Sequence, residues 1–132
     1  MIVVDASVLV TATVDCGAEG NWAETTLSGR RLVAPHLVLV EATSALSKLE
    51  RTGVLAAPVA AAAAARLTTL PLDLVSFEPF ASRVWELRNN LSAYDAWYVA
   101  IAEVIGAPLA TLDRRLAAAP GPRCDFLVPA RA

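Results

Sequence analysis

The 132-residue chain is long enough for one domain with a substantial core, and its 56% hydrophobic content excludes an intrinsically disordered protein. A formal net charge of −2 argues against nucleic-acid binding by bulk electrostatics, but it is compatible with a local site where cations neutralise carboxylates. Asp5 comes too early for a signal peptide and no uncharged apolar stretch approaches the roughly 20 residues that cross a bilayer, so we expect a cytoplasmic protein without membrane contact.

Strand and helix patterns alternate through the first half of the chain. The sequence predicts a strand over residues 1–4, a helix around 21–27 and a short strand over 32–34. Pro35 suits the first residue of a long helix that ends before Gly53. Proline has no backbone N–H, and the first turn of a helix leaves its N–H groups unpaired. The alanine-rich run 56–67 predicts a further helix, with Pro58 near its start.

The second half continues the alternation. Residues 73–77 predict a strand, 79–89 a helix, 114–119 one or two helical turns and 125–128 a last strand. Between them, Ser92 is a good N-cap for a helix that carries Asp95 in its first turn and ends at Gly106. We therefore expect an α/β fold with a mainly parallel sheet, formed by residues 1–132 as one domain without linker or repeat.

The two cysteines do not indicate a metal or redox site. Cys16 and Cys124 lie far apart in the sequence and form no C-x-x-C pair. We expect reduced, structural thiols.

Four acidic residues interrupt apolar segments. Asp5 and Asp113 each end a short apolar run that predicts a buried strand, and in open α/β sheets ligands bind outside the carboxyl ends of such strands. Asp95 lies on a nearly all-apolar helix, and Glu41 interrupts the apolar residues 37–42. Each has an ordinary alternative: a helix cap for Asp5 and Asp113, a dipole interaction for Asp95, a solvated helix face for Glu41. Taken together, the four alternatives are a poorer explanation than one shared site.

Carboxylates that converge on one rim require a positive charge. Two like charges about 4 Å apart cost roughly 4 kcal/mol at an effective dielectric constant of about 20. Oxygen ligands without histidine or cysteine suit Mg²⁺ or Mn²⁺, which also bind phosphate oxygens. The expected chemistry is therefore metal-dependent hydrolysis of a phosphodiester.

Three segments carry a family resemblance. Residues 2–7, 94–103 and 111–116 read IVVDAS, YDAWYVAIAE and TLDRRL. In order and spacing they resemble the signature segments of PIN-domain ribonucleases, and more narrowly of VapC-type toxins from bacterial type II toxin–antitoxin systems. Glu41 matches the acidic residue that this family carries in the helix after its second strand.

The resemblance implies a PIN-like three-layer fold with a parallel sheet of about five strands, a Mg²⁺- or Mn²⁺-dependent endoribonuclease site, and a homodimer. It assigns Asp5, Glu41, Asp95 and Asp113 as the catalytic, metal-binding acids. Ser7 and Thr111 match polar positions that orient ligands or water. Arg115 stands where some PIN domains carry a further acidic residue.

The resemblance also implies a cognate VapB-type antitoxin that obstructs the acidic site. We expect its groove along the alanine-rich run 56–67 and the helix after Pro35, including Leu46 and Ala60. Leu46→Asp or Ala60→Asp is then expected to abolish antitoxin binding in a folded protein.

Contacts to RNA must come from local groups, since the chain as a whole is slightly acidic. The candidates for phosphate binding are the pairs Arg114–Arg115 and Arg30–Arg31. Trp97 and Tyr98 lie beside Asp95 and could stack on a base, although core packing is the better explanation for Trp97.

Two other classes of protein stay open. An aspartyl-phosphate enzyme also places an aspartate after its first strand, but a phosphatase needs a second aspartate where Ser7 stands, and a receiver domain needs a lysine at a late strand end. A non-cleaving PIN-fold module that binds RNA or antitoxin is the stronger alternative to a nuclease.

Overall fold

Five strands and seven helices alternate along the residues that the computed structural model describes, 1–14 and 17–131. The strands are β1 (Ile2–Val4), β2 (Leu32–Pro35), β3 (Leu72–Val75), β4 (Leu109–Ala110) and β5 (Phe126–Leu127). The helices are α1 (Ala6–Val14), α2 (Ala18–Leu27), α3 (Val38–Arg51), α4 (Ala57–Leu67), α5 (Ala81–Glu86), α6 (Ala93–Ile105) and α7 (Arg114–Ala118), and a short 3₁₀ helix (Glu78–Phe80) precedes α5. The predicted thiol of Cys16 lies outside the described residues.

The five strands form one sheet in the order β3-β2-β1-β4-β5, and every neighbouring pair is parallel. From the central β1 the chain builds outward through β2 and β3, and it then crosses back to add β4 and β5 on the other side. The strand order therefore reverses between β1 and β4, which is where open α/β sheets leave a crevice for ligands. The predicted parallel sheet of about five strands is confirmed.

Both faces of the central strand are covered. All residues of β1 have no exposed surface, and successive side chains of a strand point to opposite faces. Helix α6 lies against β1, β2 and β4, whereas α1 packs with α2, α3 and α4. The fold therefore has the predicted three layers, with the sheet in the middle.

Helix α6 has the boundaries that its sequence predicts. The Ser92 hydroxyl accepts a hydrogen bond from the Asp95 backbone N–H at 3.1 Å, as an N-cap does. Gly106 ends the helix with a φ of 66°, a left-handed conformation that favours glycine. This cap fixes Asp95 in the first turn, at the edge of the sheet.

Two predicted helices begin or end elsewhere. Pro35 is the last residue of β2 rather than the first of a helix, and α3 begins at Val38. Proline is tolerated here because it lies at the end of β2, and the pairing with β3 continues through the His36 N–H, which donates to the Val75 carbonyl at 3.0 Å. The predicted helix over 79–89 is shorter, since the 3₁₀ helix replaces its first turn and α5 ends at Glu86.

The prediction that Leu46 and Ala60 line an antitoxin groove is wrong. Leu46 and Ala60 are only 2% and 5% exposed, in helices α3 and α4 that pack against each other and against α1. An aspartate at either position would place a charge in the core, so both substitutions test folding rather than binding.

Two other expectations from the sequence concern membranes and thiols. Within residues 1–14 and 17–131, no helix has the length and apolar character needed to cross a membrane. Cys124 is a free thiol, and burial together with the nearby Glu103 charge raises its pKa to about 11.

Candidate active site at the acidic rim

The structure brings the four predicted acids to one edge of the sheet. Asp5 directly follows β1, and Asp113 lies just beyond β4, on the two sides of the point where the strand order reverses. Glu41 and Asp95 lie in the first turns of α3 and α6. We call these four residues the acidic rim.

Asp5 is held by two hydroxyl groups. Thr111 Oγ1 donates to Asp5 Oδ2 at 2.6 Å, and Ser7 Oγ donates to the same oxygen at 3.1 Å. Burial raises the pKa of Asp5 in spite of these hydrogen bonds, which lower it, and the Asp113 charge raises it further. The carboxylate is thus oriented by two neutral hydroxyl donors.

The same hydroxyls connect the ends of β1 and β4. Thr111, which is fully buried, accepts a hydrogen bond from the Asp113 N–H at 3.0 Å, and Ser7 Oγ accepts one from the Leu112 N–H at 3.2 Å. Each hydroxyl therefore donates to Asp5 and accepts from the segment that carries Asp113. Ser7 and Thr111 fix the relative positions of these two acids.

Glu41 is oriented by a tyrosine on a different helix. The Tyr98 hydroxyl donates to Glu41 Oε1 at 2.8 Å, and Tyr98 is only 1% exposed. Burial raises the pKa of Glu41, the hydrogen bond lowers it, and the charges of Asp5 and Asp95 raise it again. The pKa of Tyr98 is raised by burial and by the charges of Glu41 and Asp5, so the tyrosine stays a neutral donor.

Tyr98 was missed as a site residue by the sequence prediction, which offered it as a surface for base stacking. Its burial excludes stacking on RNA. A usable signal was present: Tyr98 follows Asp95 by three positions, and such residues share one face of a helix. The prediction of core packing for Trp97 is confirmed, since Trp97 is 7% exposed and packs edge-on against Phe77.

Asp95 and Asp113 complete the rim with different surroundings. Burial raises the pKa of half-buried Asp95, and the charges of Asp5 and Asp113 raise it further. Asp113 is more exposed and caps α7: its Oδ1 accepts from the N–H groups of Arg115 and Leu116, at 2.9 and 3.2 Å. Asp113 thus has the capping role considered from sequence and also contributes its charge to the rim.

Comparisons with known proteins show the family to which this chain is related. The family model described as the PIN domain matches residues 2–122. A VapC ribonuclease of Mycobacterium bovis is 37% identical over 131 residues, covering 99% of this chain and 100% of that protein. Ribonuclease VapC1 of Mycobacterium tuberculosis is 38% identical over 128 residues, covering 94% of each chain.

This chain belongs to the VapC group of the PIN-domain family. Solved structures with the same fold include the VapC20 toxin of M. tuberculosis, with a TM-score of 0.65, 20% identity and 89% of this chain and 94% of that one covered. A toxin–antitoxin complex from Klebsiella pneumoniae gives a TM-score of 0.68 at 16% identity and covers all of both chains. The resemblance of the three sequence segments to this family is confirmed.

The donor set of this PIN domain fits a hard divalent cation. Carboxylate oxygens and the hydroxyl oxygens of Ser7 and Thr111 line the rim. Burial and neighbouring carboxylates raise the pKa values of Asp5, Glu41 and Asp95, so a bound cation would stabilise their ionised forms. Among the described residues, no three His, Cys, Asp or Glu side chains are close enough together to ligate one ion. Mg²⁺ fits such a spread arrangement, because it keeps several waters and binds through one or two carboxylates.

The two predicted arginine pairs lie at opposite edges of the sheet. Arg115 is exposed in the first turn of α7, next to Asp113, while the Arg114 side chain donates to the Pro129 carbonyl oxygen. Arg30 and Arg31 precede β2, at the edge away from the rim, and Arg31 pairs with Asp73 at 2.5 Å. The prediction that Arg30–Arg31 could hold phosphates near the rim is wrong.

Proposed function

We propose that this chain is the toxin of a type II toxin–antitoxin system and hydrolyses RNA at the acidic rim as a Mg²⁺- or Mn²⁺-dependent endoribonuclease. The observation that carries the proposal is Asp5, whose Oδ2 accepts hydrogen bonds from Ser7 and Thr111 beside three further carboxylates. The names of the relatives support the reaction, since the proteins 37% and 38% identical to this chain are called ribonucleases.

The proposal assigns the metal site to Asp5, Glu41, Asp95 and Asp113. One or two of these carboxylates would ligate the ion directly, and the others would act through the water molecules that it keeps. When bound, the divalent ion would lower the pKa of a water molecule and neutralise charge that develops on the phosphate. Ser7 and Thr111 hold the Asp5 carboxylate in one orientation, and Tyr98 does the same for Glu41. Such fixed orientation lets the site stabilise a transition state without rearranging.

Phosphate binding is assigned to the arginines of α7. Arg115 is exposed and adjacent to Asp113, so its guanidinium can reach a phosphate at the rim and form charge-assisted hydrogen bonds. Arg114 is half-buried, and its hydrogen bond to the Pro129 carbonyl favours a structural contribution. Of the pair, Arg115 is therefore the better candidate for direct contact with RNA.

The proposal includes the partners that the family resemblance implies. Residues 1–132 would form one PIN domain that pairs with a second copy and is inhibited by a cognate VapB-type antitoxin. Structures of similar fold described as a toxin–antitoxin complex from K. pneumoniae and as VapBC2 from Rickettsia felis support the antitoxin as a partner.

The direct test is cleavage of RNA by antitoxin-free protein. Total cellular RNA is incubated with the wild type, Asp5→Asn and Asp125→Asn, with Mg²⁺, Mn²⁺ or EDTA, and new RNA ends are sequenced. Asp125 is an exposed control at the opposite edge of the sheet, just before β5. We expect discrete, metal-dependent ends from the wild type and Asp125→Asn only. Equal cleavage by Asp5→Asn, or none by folded wild type that binds metal, would favour the non-cleaving module.

A further inference from the structure

A cavity of about 560 Å³ lies beside the acidic rim. His36 follows β2 and Ser76 follows β3, while Tyr94 lies in the first turn of α6, so the cavity opens at the same edge of the sheet as the four acids. It is linked to them directly: Tyr94 precedes Asp95, and the carbonyl of the lining residue Leu37 accepts from the Glu41 N–H at 2.9 Å. We call it the aromatic cavity.

Three aromatic side chains line the aromatic cavity. Tyr94 and Phe77 are 57% and 38% exposed, and Phe77 meets the ring of Trp97 edge-on, with centroids 5.4 Å apart and an interplanar angle of 87°. Aromatic rings grouped at the surface of a protein commonly mark a binding site, because water is a poor environment for their faces. The ring faces provide a surface on which a flat ligand can stack.

Trp97 supplies a second, independent observation. The residue is 7% exposed, and its indole Nε1–H is buried without a hydrogen-bond partner among the described residues. A buried tryptophan N–H usually has an acceptor. The exposed ring of Phe77, which packs against the indole, can change rotamer rapidly, and its movement would give a ligand access to this donor. A ligand with an acceptor atom on its edge would satisfy the N–H.

The charges around the cavity narrow the class of ligand. Glu78 also lines it, and Asp95 follows Tyr94, so a phosphate group is disfavoured inside. An uncharged, flat group with acceptors on its edge is favoured instead, and the side chains of His36 and Ser76 add polar groups for its recognition. A nucleobase has these properties, while the phosphates of its strand stay outside.

We propose that the aromatic cavity holds an unpaired nucleobase of the RNA, from a nucleotide next to the phosphate that lies at the acidic rim. The base stacks on Tyr94, displaces the Phe77 ring from beside the indole and accepts a hydrogen bond from Trp97 Nε1. This inference rests on the proposed ribonuclease function and adds a subsite for one unpaired base, which is free to enter a pocket. Residues of the cavity then contribute to the choice of sequence at the cleavage site.

Binding of short oligonucleotides tests the cavity without requiring cleavage. The probes are four fluorescein-labelled 2′-O-methyl octamers, each of one base, and an octamer of the same backbone that lacks bases. Affinity is measured by fluorescence anisotropy in Ca²⁺, with a gel to show that the probes stay intact. The proteins are the wild type, Tyr94→Ala, Trp97→Phe and the control Trp85→Phe, whose tryptophan is 67% exposed on α5.

We expect the wild type and Trp85→Phe to prefer at least one octamer over the baseless backbone. Tyr94→Ala should weaken that binding at least fivefold, since stacking on one aromatic ring contributes that much or more. Trp97→Phe should reduce the preference among the four bases, because phenylalanine supplies an aromatic ring but has no N–H donor. Thermal unfolding confirms that each variant is folded. Tyr94 is exposed and Trp97 is buried, so Tyr94→Ala is expected to destabilise the fold less than Trp97→Phe.

Three results would overturn the inference. In the first, the wild type binds baseless and base-containing octamers equally. In the second, both cavity variants keep the affinity and the base preference of the wild type. In the third, Tyr94→Ala loses self-association or binding to a protein partner while its RNA binding is unchanged. Failure of the ribonuclease proposal looks different: the wild type would bind octamers through the cavity yet produce no metal-dependent RNA ends.

Discussion

At the scale of single residues, Thr111 connects two acids of the rim through one hydroxyl. It donates to Asp5 at 2.6 Å and accepts from the Asp113 N–H at 3.0 Å, in a fully buried position. Thr111→Val keeps the shape and removes both hydrogen bonds. We expect the free energy of unfolding, measured in urea, to fall by about 1–3 kcal/mol.

Thr111→Ser is the matched control, since it retains the hydroxyl and loses one methyl group. It should stay closer to the wild type than Thr111→Val does. If the valine variant unfolds at the same urea concentration as the wild type, the hydroxyl contributes nothing to the site's stability.

Tyr98 is predicted to position Glu41. Tyr98→Phe removes the 2.8 Å hydrogen bond to Glu41 Oε1 without opening a large cavity. Because Glu41 is then free to rotate, the Mn²⁺ concentration for half-maximal cleavage should rise about tenfold, the equivalent of about 1.4 kcal/mol. Trp85→Phe, at an exposed position on α5, should leave that concentration unchanged. Equal metal dependence in both variants would argue against the positioning role.

The residues of the rim could be predicted from sequence, whereas their hydrogen-bond partners could not. Asp5, Asp95 and Asp113 lie in segments whose apolar pattern already places them at strand ends or on a buried helix. The hydrogen bond from Tyr98 to Glu41 joins residues 57 positions apart, and only the tertiary fold brings the first turn of α3 to α6. Trp97 illustrates the same limit, because nothing in its sequence context reveals an unpartnered N–H.

At the scale of elements, an ion pair ties α5 to α6. Arg83 donates to Glu103 through two nitrogens, at 2.8 and 3.1 Å, and the Arg123 N–H donates to Glu103 at 2.7 Å. Burial alone would raise the pKa of Glu103, but these hydrogen bonds and the charges of Arg83 and Arg123 outweigh it and hold the pKa below its ordinary value of 4.5. The ionised form is therefore the one that stabilises the fold.

Glu103→Gln should lower the free energy of unfolding at pH 7 by about 1–2 kcal/mol. Because the pKa of Glu103 is lower in the folded than in the unfolded protein, its stabilising contribution is complete above the ordinary value and is lost as the pH falls through the folded value. The difference between wild type and variant should shrink in acid.

Urea unfolding across a pH series measures this difference. Glu86→Gln is the control, because Glu86 lies 3.6 Å from the same arginine but is 61% exposed, and exposed pairs contribute little. A gap between wild type and Glu103→Gln that stays constant with pH would contradict the account.

Element boundaries were predictable where a cap identifies them. Ser92 and Gly106 bound α6 as expected. The N-cap hydrogen bond and the left-handed backbone conformation each depend only on residues nearby in the sequence. Pro35 shows the opposite case: it is compatible with a helix start and with a strand end, and the pairing of β2 with β3 decides between them. Leu46 and Ala60 were misassigned to a groove because a helix pattern does not show which neighbour covers its apolar face.

At the scale of the whole molecule, the parallel sheet and its helical layers followed from the alternation of apolar runs and helix patterns. The strand order did not, since it depends on which strands pair across the sheet. That order places β4 beside β1 and brings Asp113 to Asp5, residues 108 positions apart. The site is thus a consequence of the crossover rather than of any single motif.

The central claim is that the acidic rim is a divalent-metal site, and Mn²⁺ binding measured by electron paramagnetic resonance tests it most directly. The proteins are wild type, Asp5→Asn and the control Asp125→Asn, each shown to be folded. The account predicts that wild type and Asp125→Asn bind Mn²⁺ alike, and that Asp5→Asn binds at least tenfold more weakly. Equal Mn²⁺ affinity in all three proteins, or no binding by the wild type, would contradict it.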